Sequence, residues 1–210
     1  MVPIAVIGCG GHGRVIRDTL RLTGDQFAGF LDDQNIGKMI GDDRVLGGTS
    51  YLRDQDFLSQ HDFIVGIGDT KIRRLLSTEI LARGGRLARA VHPTAILSAD
   101  VTIGEGTVVM AGVIINTGST IGRFAVINTG AIIDHDNIVE DGVHISPGCQ
   151  LAGGVRCAQD AFIGTGVSVI PRKRIGQGSI VAAGATVISD VAPQTLVAGC
   201  PAVFKRRLED

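Results

Sequence analysis

Residues 108–127 read VVMAGVIINTGSTIGRFAVI, and within them Val109, Ile115, Ile121 and Ile127 recur at every sixth position. The same step runs outward in both directions. From Leu97 to Val187 it meets sixteen positions, of which fifteen are aliphatic; the other, Cys157, is itself a small residue of buried type. Two residues before most of them lies a small or β-branched side chain, among them Ala95, Thr107, Ser119 and Ala131. Glycine follows directly at positions 104, 122, 164 and 176. An α-helix cannot hold every sixth residue on one face, whereas a solenoid with six residues per flat side can. Three such sides make one coil, with the aliphatic turned inward and the small residue in the crowded corner. The register never slips, so no long loop interrupts the coils before Val187.

The composition agrees with packing by small side chains. Of 210 residues 30 are Gly and none is Trp, and aromatics make up only 4%, so the core cannot be built around large rings. A net charge of −1, with no basic block before the short KRR at 205–207, argues against a nucleic-acid partner. No apolar run approaches the ~18 residues of a membrane span, and the N-terminus lacks the pattern of a signal peptide. The four cysteines show neither CxxC spacing nor the density of a disulfide scaffold. A reducing, cytoplasmic setting is therefore expected.

Upstream of the repeats the periodicity differs. Strands are expected at Ile4–Ile7, Phe27–Leu31, 63–67 and 87–91, and helices at 14–22 and 71–83, the alternation of parallel α/β units. The first turn, VIGCGGHGRV at 6–15, places Gly8, Gly10 and Gly13 in the GxGxxG spacing of a phosphate-binding loop. Amide N–H groups at such a helix start favour phosphate in general and do not single out a nicotinamide cofactor. Asp32 and Asp33 follow the second strand and GIGDTKIRR follows the third, at the sheet edge where ligands collect. The fold class read from the chain is an α/β Rossmann-like domain over residues 1–91, then an all-β parallel solenoid over 92–210.

The repeats, closed by LVAGCPAVFKRR at 196–207, resemble the hexapeptide-repeat acyltransferases, whose coils wind into a left-handed parallel β-helix. With GCGGHG, FLDD and GIGDTKIR added, the chain is similar over nearly its whole length to bacterial sugar acetyltransferases of the bacillosamine, perosamine and sialic acid type. That resemblance implies a homotrimer with active sites between subunits. It implies acetyl-CoA as donor, no metal and no NAD, and as acceptor the C4 amine of a nucleotide-linked 4-amino-4,6-dideoxy sugar.

Acetyl transfer from a thioester to an amine needs positioning and a base. The stretch INTGAIIDHDN at 127–137 supplies His135, a residue that titrates near neutrality, between Asp134 and Asp136. A carboxylate on one ring nitrogen would fix the tautomer; the spacing leaves either aspartate eligible. The resemblance implies that His135 is the base and Asp136 its partner. It also implies that His144 and Asn128 line the acceptor or thioester pocket and that Gly153, Thr165 and Ala183 border acetyl-CoA. Gly10, Gly11, His12, Asp32, Asp33 and Gly68 would then meet the nucleotide-sugar. Arg73 is added as a cation one turn into the following helix, and Lys173, Arg174, Lys205 and Arg206 as candidates for CoA phosphates. His135 and His144 lie half a coil apart, so they are expected to serve one site only across a subunit interface.

Three other readings compete. A solenoid carbonic anhydrase needs three histidines around zinc, and only His135 and His144 lie in the repeats, with His92 at their mouth. A non-catalytic nucleotide-binding solenoid would not depend on His135. Sugar O-acetylation, the nearest alternative, would use the same base.

Overall fold

The computed structural model describes residues 2–208, which divide into two compact units, one ending at Pro93 and one beginning at Thr94. In the first unit β1 (Ile4–Ile7), α1 (Gly11–Thr23), β2 (Phe27–Leu31), a hairpin of β3 (Met39–Ile40) and β4 (Asp43–Gly47), α2 (Gln55–Gln60), β5 (Asp62–Val65), α3 (Thr70–Ala82) and β6 (Arg86–Leu87) follow in order. They form one sheet in the order β3-β4-β2-β1-β5-β6, parallel except for the hairpin. Because β1 is central, its residues are buried on both faces, and IAVI accordingly shows no alternation. Ala5 and Ile7 pack with Leu31, Leu58, Phe63 and Ile80 in one cluster.

The turn after β1 follows from glycine chemistry. Gly8 takes φ +94°, and a Cβ on Gly13 would collide with the carbonyl oxygen of Gly8. The third glycine of the motif is therefore what lets α1 start hard against the strand. Expected helices 14–22 and 71–83 prove to be Gly11–Thr23 and Thr70–Ala82. The expected strand 63–67 stops at Val65, and the expected strand 87–91 splits into Arg86–Leu87 and Ala90–Val91, the latter outside this sheet.

The second unit is a left-handed parallel β-helix. Two-residue strands stack with a constant offset: Ile114–Ile115 on Ile132–Ile133, Thr120–Ile121 on Ile138–Val139, Val126–Ile127 on His144–Ile145. Of the sixteen stepped positions, those from Val109 to Val187 are all at most 3% exposed. Each Val, Leu or Ile among them contributes about 1.5–3 kcal/mol of burial. Leu97 and Ile103, in the first coil, are only half-buried.

The corners obey a rule of their own. Every sixth residue from Gly106 to Gly184 has positive φ, and only Phe124, Asp136, Asp160 and Arg172 in that series are not glycine. The glycines that follow the inward aliphatics serve close packing instead, since a Cβ on Gly104 would lie 2.6 Å from the backbone of Arg123 in the next coil. The repeat ends where Thr195–Ala198 pairs in parallel with Ile180–Val181 and antiparallel with the exposed strand Val203–Arg207. No helix among the described residues is long and apolar enough to cross a membrane.

Candidate active site

His135 stands on a solenoid corner, with its backbone amide, its carbonyl and one ring nitrogen all hydrogen-bonded. Its amide donates to Asp134 Oδ1 at 2.9 Å, and its carbonyl accepts from the Gly154 amide at 2.9 Å. Nδ1 lies 2.8 Å from Asp136 Oδ2, so Asp136 is the paired carboxylate. Asp134 is occupied elsewhere: the same Oδ1 accepts the Asn116 carboxamide at 2.9 Å. The hydrogen bond that His135 Nδ1 donates to Asp136 raises the His135 pKa above its ordinary value, with both aspartate charges adding to the shift. The Asn116 hydrogen bond, helped by the His135 amide, lowers Asp134. Pairing at Nδ1 leaves Nε2 as the nitrogen that can take a proton.

Two glycines make room for this pair. A Cβ on Gly153, one coil on, would lie 2.5 Å from ring atoms Cε1 and Nε2 of His135. One coil back, a Cβ on Gly118 would collide with Asp136 Oδ1. Asp136 itself adopts φ +58°, a conformation that costs an ordinary L-residue roughly 1–2 kcal/mol and that Asp tolerates better than most. Where most corners carry glycine, this one carries a carboxylate within reach of the histidine. A shallow cleft of about 430 Å³ opens beside it, lined by Ile132, Asp134, Gln150, Ala152, Ser168 and Pro171.

The other expected residues of the solenoid lie elsewhere on it. Gly153 joins the His135 corner. Thr165 and Ala183 are exposed and stack on one another, Gly184 N donating to Thr165 O at 2.8 Å, on the corner that also carries Thr129 and Pro147. Asn128 adjoins that corner, its Oδ1 accepting from the Thr129 amide at 2.8 Å. His144 lies on the remaining flat side, 7% exposed, its ring 4.9 Å from that of Phe162. One chain thus joins His135, Asp136 and Gly153 and sets Asn128, His144, Thr165 and Ala183 on other faces. Arg174, Lys205 and Arg206 are exposed and Lys173 is partly so.

The first unit holds a second cleft, of about 470 Å³, at the carboxyl ends of β1, β2 and β5, where the connection from β1 runs toward β2 and that from β5 runs the opposite way toward β6. Gly10, Gly11, His12, Asp32, Asp33 and Gly68 all line it, with Thr49 and Gln34, which the sequence did not flag. The amide start of α1 gives it affinity for anions. Asp32 also clamps the glycine loop, accepting from the Cys9 amide at 3.1 Å and the Cys9 thiol at 3.2 Å. Burial pushes its pKa up, but the Cys9 amide and thiol and the Asn35 carboxamide outweigh that and hold it below the ordinary value. Asp33 accepts from the amide and hydroxyl of Thr49 at 2.8 and 2.9 Å. Burial, reinforced by the nearby Arg73 guanidinium, pushes His12 down to about 4, so its imidazole is neutral at physiological pH.

Arg73 corrects an expectation. It is 1% exposed and does not line the cleft; Nη1 donates to the carbonyls of Ile67 and Gly68, both at 3.0 Å. Its visible work is to brace the second glycine turn. Asn116, Ser119 and Asn137 escape notice around His135 in the sequence, because polar residues at repeat corners look like ordinary turn formers. No group of three or more metal-ligating side chains occurs among the described residues.

Comparison with known proteins places both units. Residues 3–80 match the PglD N-terminal domain family. A stretch of 113 residues is 37% identical to UDP-N-acetylbacillosamine N-acetyltransferase of Bacillus subtilis (strain 168), covering 53% of this chain and 52% of that protein. The chain thus spans about half the length of that curated relative. Nearly the whole chain superposes on solved structures. The acetyltransferase domain of PglB from Neisseria gonorrhoeae FA1090 has a TM-score of 0.93 at 35% identity, covering 98% of this chain and 100% of that one. A point mutant of perosamine N-acetyltransferase from Caulobacter crescentus, solved with CoA and GDP-perosamine, has a TM-score of 0.93 at 37% identity, covering 97% of each chain.

Proposed function

The chain belongs to the hexapeptide-repeat sugar acetyltransferase family that includes the PglB acetyltransferase domain and perosamine N-acetyltransferase, and from this we propose that it N-acetylates a nucleotide-linked 4-amino-4,6-dideoxy sugar. The observation that carries this reading is the His135–Asp136 pair, 2.8 Å apart and seated between Gly153 and Gly118. The likeness to an enzyme solved with CoA and GDP-perosamine supports acetyl-CoA as donor and a nucleotide amino sugar as acceptor. In the reaction the C4 amine attacks the thioester carbonyl, the new N–C bond forms and the C–S bond breaks. The amine proton passes to Nε2 of His135, and the imidazolium returns a proton to the departing thiolate. Asp136 holds the ring in the tautomer that can accept and stabilises its cationic form. No covalent intermediate is needed.

The cleft at α1 holds the nucleotide-sugar, with its diphosphate at Gly10 and Gly11 and neutral His12 as a hydrogen-bonding contact. Asp32 and Asp33 lie toward the base and ribose. Acetyl-CoA lies in a groove between two solenoids of a homotrimer, where Asn128, His144, Thr165 and Ala183 of one subunit meet the His135 corner of the next. The free cysteines fit a cytoplasmic enzyme.

The test is to supply acetyl-CoA with UDP-, GDP- and dTDP-linked 4-amino-4,6-dideoxy sugars and follow free thiol. One of these amines should turn over, and His135→Ala should lower kcat about 10²- to 10⁴-fold. Turnover of hydroxyl sugars alone would reassign the site to O-acetylation. An unimpaired His135→Ala enzyme would remove the base.

A further inference from the structure

We infer that Asn137 is a positioning residue for the base, its buried carboxamide locking the turn that carries His135. The inference rests on the proposed acetyl transfer for its kinetic consequence and on geometry for everything else. Asn137 occupies the inward corner position two residues before Val139, the position that carries Val101, Ser119 and Val155 in neighbouring coils. It is fully buried. Its Nδ2 donates toward three carbonyls, Asp134 at 2.7 Å, Ala152 at 3.1 Å and His135 at 3.3 Å. Two of these belong to the catalytic turn and the third to the next coil, beside Gly153. One amide therefore ties the histidine-bearing loop to the neighbouring coil whose backbone supports its ring.

The surroundings extend the same brace. Ser119 Oγ donates to Asp134 O at 2.7 Å and accepts the Asn137 amide at 3.1 Å, so Asp134 O takes two side-chain donors. Converging carbonyls fix the orientation of the amide, since reversing it would set oxygen against oxygen. The cost is visible: Asn137 Oδ1 is buried with no hydrogen-bond partner among the described residues. An unpaired buried acceptor works against stability, and a valine of similar size sits in the same column at Val101 and Val155. A polar residue at this corner thus has its return in placing the turn. The turn needs that help, because the left-handed residue at its centre is Asp136 where most corners have glycine.

The experiment is Asn137→Val in the full chain, read by steady-state kinetics and by an NMR titration of the His135 ring. The folded variant should keep KM for both substrates within about threefold while kcat falls about 10- to 100-fold, the scale set by displacements near 1 Å. The His135 titration midpoint should move down toward that of a free imidazole. Wild-type kcat with an unmoved titration, or a drop in melting temperature alone, would overturn the inference. Should Asn137→Val fail to fold, Asn137→Ser, the residue at Ser119 one coil earlier, is judged by the same criteria. Should the wild-type enzyme acetylate no amino sugar, the proposed reaction fails while the titration still decides on Asn137.

Discussion

At the scale of single residues, the Asp-His-Asp triplet is legible in the sequence as a candidate base, but the identity of the partner is not. Asp136 wins because its backbone turns left-handed and brings Oδ2 to 2.8 Å from Nδ1, while Asp134 is bent back onto the His135 amide and Asn116. Asp136→Asn separates charge from geometry, since Asn also tolerates positive φ and its carboxamide oxygen can still accept from Nδ1. The carboxylate raises the His135 pKa, so the ring is protonated at higher pH than an isolated imidazole. Removing the charge should shift the acid limb of the kcat/KM profile to lower pH and lower its plateau about tenfold. An acid limb unmoved in Asp136→Asn would show that the limb belongs to another group. Arg73 misleads for an equally physical reason. A cation one turn into a helix reads as solvent-facing, and only the packed structure reveals a side chain 1% exposed that serves two backbone carbonyls.

At the scale of elements, the sixfold step announces the solenoid in advance, because a buried aliphatic every sixth residue has no helical explanation. The hairpin β3–β4 is invisible in the sequence: GKMIGDDRVLGG alternates too briefly and carries too many Gly and Asp to read as strands. The glycines stand out mainly where they follow the inward residue, whereas the left-handed ladder two residues further on sets the corners. Gly153 shows why a corner glycine cannot be assigned from spacing alone. The family resemblance implies close approach of acetyl-CoA; the structure adds the ring of His135 from the neighbouring coil. Gly153 does not need positive φ, so Gly153→Ala strains no backbone and instead pushes a methyl group into the imidazole. The expected outcome is a 10- to 100-fold loss of kcat with the melting temperature nearly unchanged, checked by paired kinetics and thermal unfolding. Full activity in Gly153→Ala would mean that the ring works from another position.

At the scale of the whole molecule, the register explains why the expected site residues do not all meet. Residues a full coil apart stack, as His135 and Gly153 do, while residues a third or half of a coil apart face different directions. Asn128, His144, Thr165 and Ala183 therefore reach a neighbour's His135 only if solenoids associate side by side. Intersubunit complementation checks this directly. His135→Ala and His144→Ala enzymes, each impaired, should regain measurable activity when co-assembled, because some mixed sites receive both intact histidines. Co-assembly without recovery would remove His144 from the site that His135 serves. The ladder of left-handed corners has a further consequence, for ancestry. Because each corner returns the backbone to the same attitude, it is a natural crossover point at which related genes can exchange coils in frame. Whole coils can thus be gained, lost or exchanged while the inward aliphatic column stays in step.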